Sequence, residues 1–154
     1  MVAWHREQKL LPWTADQLYN LVADVGRYPE FLPWCVAARV TRRDGNVFWA
    51  DLVIGFRLIR ESYTSRVTLV PGREIHTTYT SGPFRKMEGC WRFDPRGDGG
   101  CLVEFAIDFE FNSRLLQRTI GVLYLEAARR LVRSFEDRAR DLYGPMIRDE
   151  DSLR

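Results

Sequence analysis

Lysine is almost missing from this chain: Lys9 and Lys86 are the only two among 23 basic residues, and the rest are arginine. That skew reads first as a coding bias and second as a functional choice. Charge excess is missing too. The 23 basic and 21 acidic residues leave a net charge of +2 in 154 residues, too little for a global nucleic-acid footprint, so no DNA partner is expected. Histidine is scarce. His5 and His76 lie in separate strand patterns with no metal-like spacing, and no bound metal is expected. No GxSxG, HExxH, P-loop or GxGxxG is present. With two histidines a Ser/His/Asp or Cys/His set is a poor prospect, and the chain is read as a non-enzyme. Gly97 to Gly100 is glycine-rich but separates two strand patterns, so it reads as a hairpin turn rather than a phosphate loop. Cys35, Cys90 and Cys101 are odd in number and lack CxxC spacing, which predicts reduced, buried thiols. No apolar run opens the chain and none approaches the roughly 20 residues of a membrane span. These absences predict a cytosolic protein, and the lack of an Arg-rich leader favours a bacterial one.

Apolar residues make up 45% and aromatics 13%, enough for one globular domain that buries about two-thirds of its unfolded surface. Residues 2–11 read as a strand with Val2, Trp4, Gln8 and Leu10 on one side. Thr14 and Gln17 form a capping box, and Leu18, Tyr19, Leu21 and Val22 carry a short helix to Gly26. Six strands follow, near 36–43, 47–54, 57–70, 74–81, 84–94 and 101–112. Turns at Asp44-Gly45-Asn46, Pro71-Gly72-Arg73, Ser81-Gly82-Pro83 and Arg96 to Gly100 separate them, and Gly55 is read as a bulge or bend. No helix interrupts the strands, so the sheet is antiparallel. In the last strand Val103, Phe105, Ile107, Phe109 and Phe111 alternate with Glu104, Asp108 and Glu110, one face dry and one wet. From Ser113 to Tyr143 there is no proline. Leu116, Ile120, Leu123, Tyr124, Ala127, Leu131, Phe135, Ala139 and Leu142 recur at helical spacing. This predicts one amphipathic helix of about 28–30 residues, roughly 45 Å long. Gly144-Pro145 stops it, and residues 148–154 read as a charged, frayed tail beyond a domain spanning residues 1–147. The fold class is therefore α+β: a curved antiparallel sheet of about seven strands wrapped around a long C-terminal helix, with two short helices after the first strand.

The second of those short helices falls in Tyr28-Pro29-Glu30-Phe31-Leu32-Pro33-Trp34-Cys35. Its two prolines forbid a long helix and a central strand. An irregular segment this apolar must cover something apolar, either the core edge or the door of a cavity. The aromatics of the strand region are either core filler or cavity wall, with Tyr63, Ser65, Thr77 and Tyr79 as candidate hydroxyls. Glu61, Glu88, Glu104, Asp108 and Glu110 read as a solvated sheet face, pairing with Arg57, Arg60, Arg66, Arg85 and Arg92. Glu61 and Glu88 are also the candidates for a buried charge that orients a ligand head. On the long helix, Glu126 to Arg130 and Glu136 to Arg140 are i,i+4 pairs. Its arginines form either a salt-laced face or a basic strip for lipid headgroups or RNA phosphates.

The order of elements resembles the START-like helix-grip (SRPBCC) superfamily. Within it, Tyr28 to Cys35, Gly55-Phe56, Glu61 to Ser65, Gly82-Pro83-Phe84, Gly89 with Trp91 and Phe93, Val103-Glu104-Phe105, and Phe135-Glu136 with Arg138-Ala139 resemble the coenzyme Q-binding branch, which includes RatA-type toxins. The resemblance runs from about Val2 to Gly144. It implies a hydrophobic tunnel that binds ubiquinone or a similar isoprenoid lipid as a ligand in support of respiration, with no other cofactor. It equally implies a competing role at the large ribosomal subunit, inhibiting translation. On the lipid reading, Phe31, Leu32, Pro33 and Trp34 form the gate. Tyr63, Tyr79, Met87, Trp91, Phe105 and Phe109 line the sheet wall, and Ile120, Leu123, Ala127 and Leu131 the helix wall. Delivery implies transient contact with a membrane surface, which places the protein in the cytoplasm or peripherally at the inner membrane.

Overall fold

Alternation of apolar and polar residues builds seven strands: β1 (Ala3–Leu11), β2 (Cys35–Asp44), β3 (Val47–Phe56), β4 (Ile59–Val70), β5 (Glu74–Ser81), β6 (Phe84–Pro95) and β7 (Cys101–Phe111). The computed structural model describes residues 2–56 and 58–144; Arg57 and the tail beyond Gly144 lie outside them. The strands form one antiparallel sheet in the order β1-β7-β6-β5-β4-β3-β2. The hairpin linking β2 to β3 turns at Gly45, whose φ of 60° suits a residue without a Cβ. In β7 the expected alternation holds: Val103, Phe105, Phe109 and Phe111 are buried and Ile107 is half-buried.

Val2, Trp4 and Leu10 share one side of β1 as expected; that side is the wet one, and Trp4 is 59% exposed. The inward side is the polar one. There the His5 ring lies 6.3 Å from Phe105, and Lys9 pairs with Glu136 of the C-terminal helix. An edge strand at the rim of a curved sheet covers little core, so periodicity marks its faces without saying which is dry. Gly55, by contrast, is not the bend between strands that was expected. It continues β3 opposite Arg60, and its amide donates to the Trp34 carbonyl at 2.9 Å. A Cβ there would stand 2.7 Å from Val36 Cγ2, so the glycine permits close approach.

Between β1 and β2 run α1 (Ala15–Ala23) and a 3-10 helix (Val25–Glu30) that contains Pro29. The capping box of Thr14 and Gln17 is present with both bonds formed. The C-terminal helix is not continuous as the spacing predicts. It divides into α2 (Arg114–Arg118) and α3 (Ile120–Tyr143) at Thr119, where ψ is −79°. Gln117 Oε1 accepts the Phe111 amide at 2.8 Å and ties α2 to the end of β7. Ile120 turns in among Phe84, Met87, Phe109 and Phe111. Both demands are met only with a break between them. The i,i+4 pairs of α3 form as expected, Glu126 to Arg130 at 3.0 Å and Glu136 to Arg140 at 3.5 Å. The sheet curves around α3, and α1 closes one end. Trp13 Nε1 donates to the Gly144 carbonyl and the Tyr143 hydroxyl to that of Gln17, each at 3.1 Å.

The core has two parts. The larger runs under α1 and the middle of α3, with Phe48, Val67, Trp91, Phe93, Phe105, Val132 and Phe135. The smaller gathers Phe84, Met87, Phe109, Phe111 and Ile120. Tyr63, Ile107 and Tyr124 touch both.

Candidate functional site: an apolar groove beside the long helix

The segment from Tyr28 to Cys35 performs two jobs. Its first half is an anchor. The Tyr28 hydroxyl donates to the Val22 carbonyl, and the Tyr28 ring meets Phe135 edge-on at 5.3 Å. Phe31 packs on Phe135 at 5.1 Å, with the Arg138 guanidinium 5.0 Å above its ring. Arg138 pairs with Glu30, which ties the segment to α3 from outside. Leu32 is buried in the larger core. So two of the four residues expected at the gate are packed against α3 or into the core. The second half borders open space. Pro33 is exposed and Trp34 half-buried, and both line a groove of about 800 Å3.

That groove lies between the gate, the tip of the β3–β4 hairpin and one side of α3. Its lining adds Gly55, Phe56, Leu58 and Ile59 from the hairpin and Leu123, Ala127, Glu126 and Arg130 from the helix. The Gly55–Trp34 bond fixes the hairpin to the gate. The groove is mostly apolar. Its two charged members, Glu126 and Arg130, neutralise each other at the rim. Its size falls in the roughly 300–1,000 Å3 range of small-molecule sites. Leu58 is 99% exposed at its mouth and, with Ile59 beside it, extends the apolar surface of the groove outward.

The other residues expected in the site are distributed through the interior. Trp91 and Phe105 pack with tilted rings, centroids 4.5 Å apart, in the larger core. Met87, Phe109 and Ile120 fill the smaller one, and Tyr79 borders it with its hydroxyl donating to the Arg85 carbonyl at 3.1 Å. Leu131 is half-buried against the larger core. Of the expected set, Pro33, Trp34, Leu123 and Ala127 meet in the groove, and Tyr63 stands on the seam between the cores. Phe56, Leu58 and Ile59 were not foreseen as lining residues. The signal available was the apolar pair Leu58-Ile59 at the tip of a hairpin, one residue beyond Gly55-Phe56.

Behind the groove lies a small polar patch. Glu61 and Tyr63 share the inner face of β4 with buried Ser65, whereas Glu88 is exposed on the outer face of β6. Burial raises the phenols of Tyr63 and Tyr124 well above the ordinary range, and pushes the Cys35 and Cys101 thiols up to about 11. A raised native value means that the unfolded chain loses these protons first. Stability is therefore expected to hold up to the ordinary thiol value near 9, and to fall as pH climbs from there to about 11. Denaturant midpoints measured between pH 7 and 11 check this; a flat profile above pH 9 would contradict it. Both thiols should also react slowly with a disulfide reagent in the folded protein at pH 8.

The fold brings one further set together. Glu74, His76 and Cys90 lie on the outer face of β5 and β6 with their ligand atoms within 4.8 Å of one another, so His76 does have metal-like neighbours in space. His76 is bonded to Glu74 at 2.7 Å, and the Arg92 guanidinium stands 3.9 Å from the same carboxylate. That cation counters the charge a metal would need.

A sheet gripping a helix, with an apolar groove at its rim, defines a helix-grip protein. Comparison with known proteins agrees. The family described as "Polyketide cyclase / dehydrase and lipid transport" matches residues 11–136, and the chain belongs to it. Ribosome association toxin RatA of Pseudomonas aeruginosa is 38% identical over 135 residues, covering 88% of this chain and 94% of that one. Coenzyme Q-binding protein COQ10 homolog B, mitochondrial, of Xenopus laevis is 33% identical over 144 residues, covering 91% of this chain and 59% of its own. The resemblance read from Tyr28 to Cys35 and the later motifs is thus borne out. Among solved structures, an 18 kDa protein of Caulobacter crescentus is 39% identical with a TM-score of 0.72, covering 93% of this chain and 99% of its own. The Zhui aromatase/cyclase from Streptomyces superposes with a TM-score of 0.81 at 14% identity, covering 96% and 100%, which shows shared fold alone. No helix among the described residues is long and apolar enough to cross a membrane.

Proposed function

We propose that this protein binds ubiquinone or a similar isoprenoid lipid in the groove and carries it between membrane sites in support of respiratory electron transport. The observation that supports this best is the groove itself: apolar, about 800 Å3, and open beside a fully exposed leucine. A polyisoprenoid tail is too insoluble to cross water alone. Shielding roughly 500 Å2 of it at about 25 cal/mol per Å2 is worth about 12 kcal/mol. An association cost of about 4 kcal/mol, the low end of its range, leaves micromolar affinity. Loading requires brief contact with a bilayer, and Leu58 and Ile59 at the mouth suit that contact. A cyclase-like reaction would need a free acid or base in the groove, and Glu126 is engaged by Arg130. The test is extraction of lipid from the purified protein, followed by mass spectrometry and by uptake from ubiquinone-loaded vesicles. Absence of any isoprenoid in both would sink the carrier reading.

A second reading is favoured by the relatives named ribosome association toxin. In it the protein docks on the large ribosomal subunit and inhibits translation initiation. The exposed Arg129, Arg130 and Arg133 of α3 would meet RNA phosphates. It predicts co-sedimentation with large subunits that is lost at raised salt and on reversing those three charges. Co-sedimentation that ignores both changes counts against it.

A further inference from the structure

Tyr124 carries a buried hydroxyl without a hydrogen-bond partner in the structure, one of two such side-chain atoms among the described residues. The other, Arg138 Nε, belongs to a guanidinium already held by Glu30 and stacked on Phe31. Nothing comparable accounts for Tyr124. Native proteins pair nearly all buried polar groups, because an orphan loses its bonds to water and gains none in return. Phenylalanine would fill the same space without that loss.

The surroundings indicate what the hydroxyl serves. The Tyr124 ring is boxed by Phe56, Phe84, Phe109 and Phe111, with centroids 5.3–6.0 Å away. Phe56 is also a wall of the groove, and Leu123 and Ala127, one residue before and three after on α3, are two more. The residue therefore stands just behind the inner wall of the groove, on the seam between the two cores. Its electrostatic neighbours there are Tyr63, Glu61 and Cys35. Burial holds the phenol protonated across the physiological range, so it acts as a donor. The Glu61 carboxylate makes the same place hostile to an anion.

We infer that the Tyr124 hydroxyl is the donor that receives an acceptor oxygen, such as a ring carbonyl, on the neutral head of a lipid whose tail occupies the groove. This rests on the lipid reading above and adds to it a rule of selection: a tail with a carbonyl-bearing head is preferred to bare hydrocarbon. A site built around a hydrogen bond discriminates strongly, because the wrong ligand leaves the buried donor orphaned.

The experiment compares wild type with Tyr124→Phe. Two probes compete against an environment-sensitive apolar dye: a benzoquinone with a three-isoprene tail, and the three-isoprene hydrocarbon without the ring. The variant is expected to bind the quinone roughly tenfold more weakly, to bind the hydrocarbon within twofold of wild type, and to melt no lower. Infrared difference spectra should show a hydrogen-bonded quinone carbonyl in wild type that returns to the free position in the variant. Equal weakening toward both probes, or none toward either, overturns the inference and leaves the lipid reading standing. Failure of both probes to bind wild type overturns the two together.

Discussion

Replacing Phe135 by alanine is expected to cost about 3–5 kcal/mol of stability. The ring is 2% exposed and lies where three elements meet. Tyr28 and Phe31 of the anchor contact it edge-on from one side at 5.3 and 5.1 Å, and Trp91 of β6 from another at 5.2 Å. Truncation removes apolar area, leaves a cavity that stiff neighbours cannot close, and forfeits edge-to-face contacts worth about 0.5–1.5 kcal/mol each beyond burial. For a chain of this size the melting temperature should fall by roughly 6–20 °C. Amide exchange should rise first from Tyr28 to Leu32, since Phe135 and Arg138 are what tie that segment to α3. Trp34→Ala, by contrast, should cost less stability than Phe135→Ala and weaken lipid uptake, because Trp34 is only half-buried and lines the groove. A loss below about 1 kcal/mol for Phe135→Ala, or uniform exchange changes, would show that the anchor is held by something else.

Ala127→Phe is expected to abolish uptake while the protein stays folded. Ala127 lies on α3 beside open space, one helical turn from Leu123, and both line the groove. A phenyl ring there enters the groove rather than a packed core, so the overpacking cost of about 1–3 kcal/mol does not apply in full. The intrinsic helix penalty is only about 0.5 kcal/mol. Binding of a quinone with a three-isoprene tail should weaken by more than tenfold, since a ring of this size excludes much of the tail. Leu142→Phe, at the far end of α3 and 51% exposed, is the control and should leave uptake unchanged. If Ala127→Phe binds as wild type does, the lipid enters elsewhere. Circular dichroism and the melting curve separate a plugged groove from a damaged fold.

Much of the architecture was legible in the residues. The capping box of Thr14 and Gln17, the turn at Gly45, the two faces of β7 and the ion pairs of α3 are local features, and local spacing reports them well. The family could be read from motifs spread over most of the chain, Tyr28 to Cys35 above all. The site was legible in part. Trp34, Pro33, Leu123 and Ala127 carry apolar surface at the right positions of their elements. Trp91, Phe105, Met87 and Phe109 carry it equally, and nothing in their spacing says that they fill the core instead. The break at Thr119 was hidden because Leu116, Ile120 and Leu123 keep helical spacing across it. Only the joint pull of Phe111 on Gln117 and of the smaller core on Ile120 reveals it.

By itself, then, the sequence determined the order of elements, the antiparallel sheet, the presence of a gripped helix and the family. Each follows from periods, caps and turns that act over a few residues, and from motifs that survive as strings. The tertiary structure alone decided which apolar residues pack and which are left to line a groove. It turned the oily side of β1 outward, split the segment from Tyr28 to Cys35 into an anchored half and a groove-lining half, and stranded the Tyr124 hydroxyl between two cores. The reason is that periodicity fixes which side chains share a face, whereas burial depends on what arrives to cover that face. In this fold the covering elements, α1 and α3, come from opposite ends of the chain.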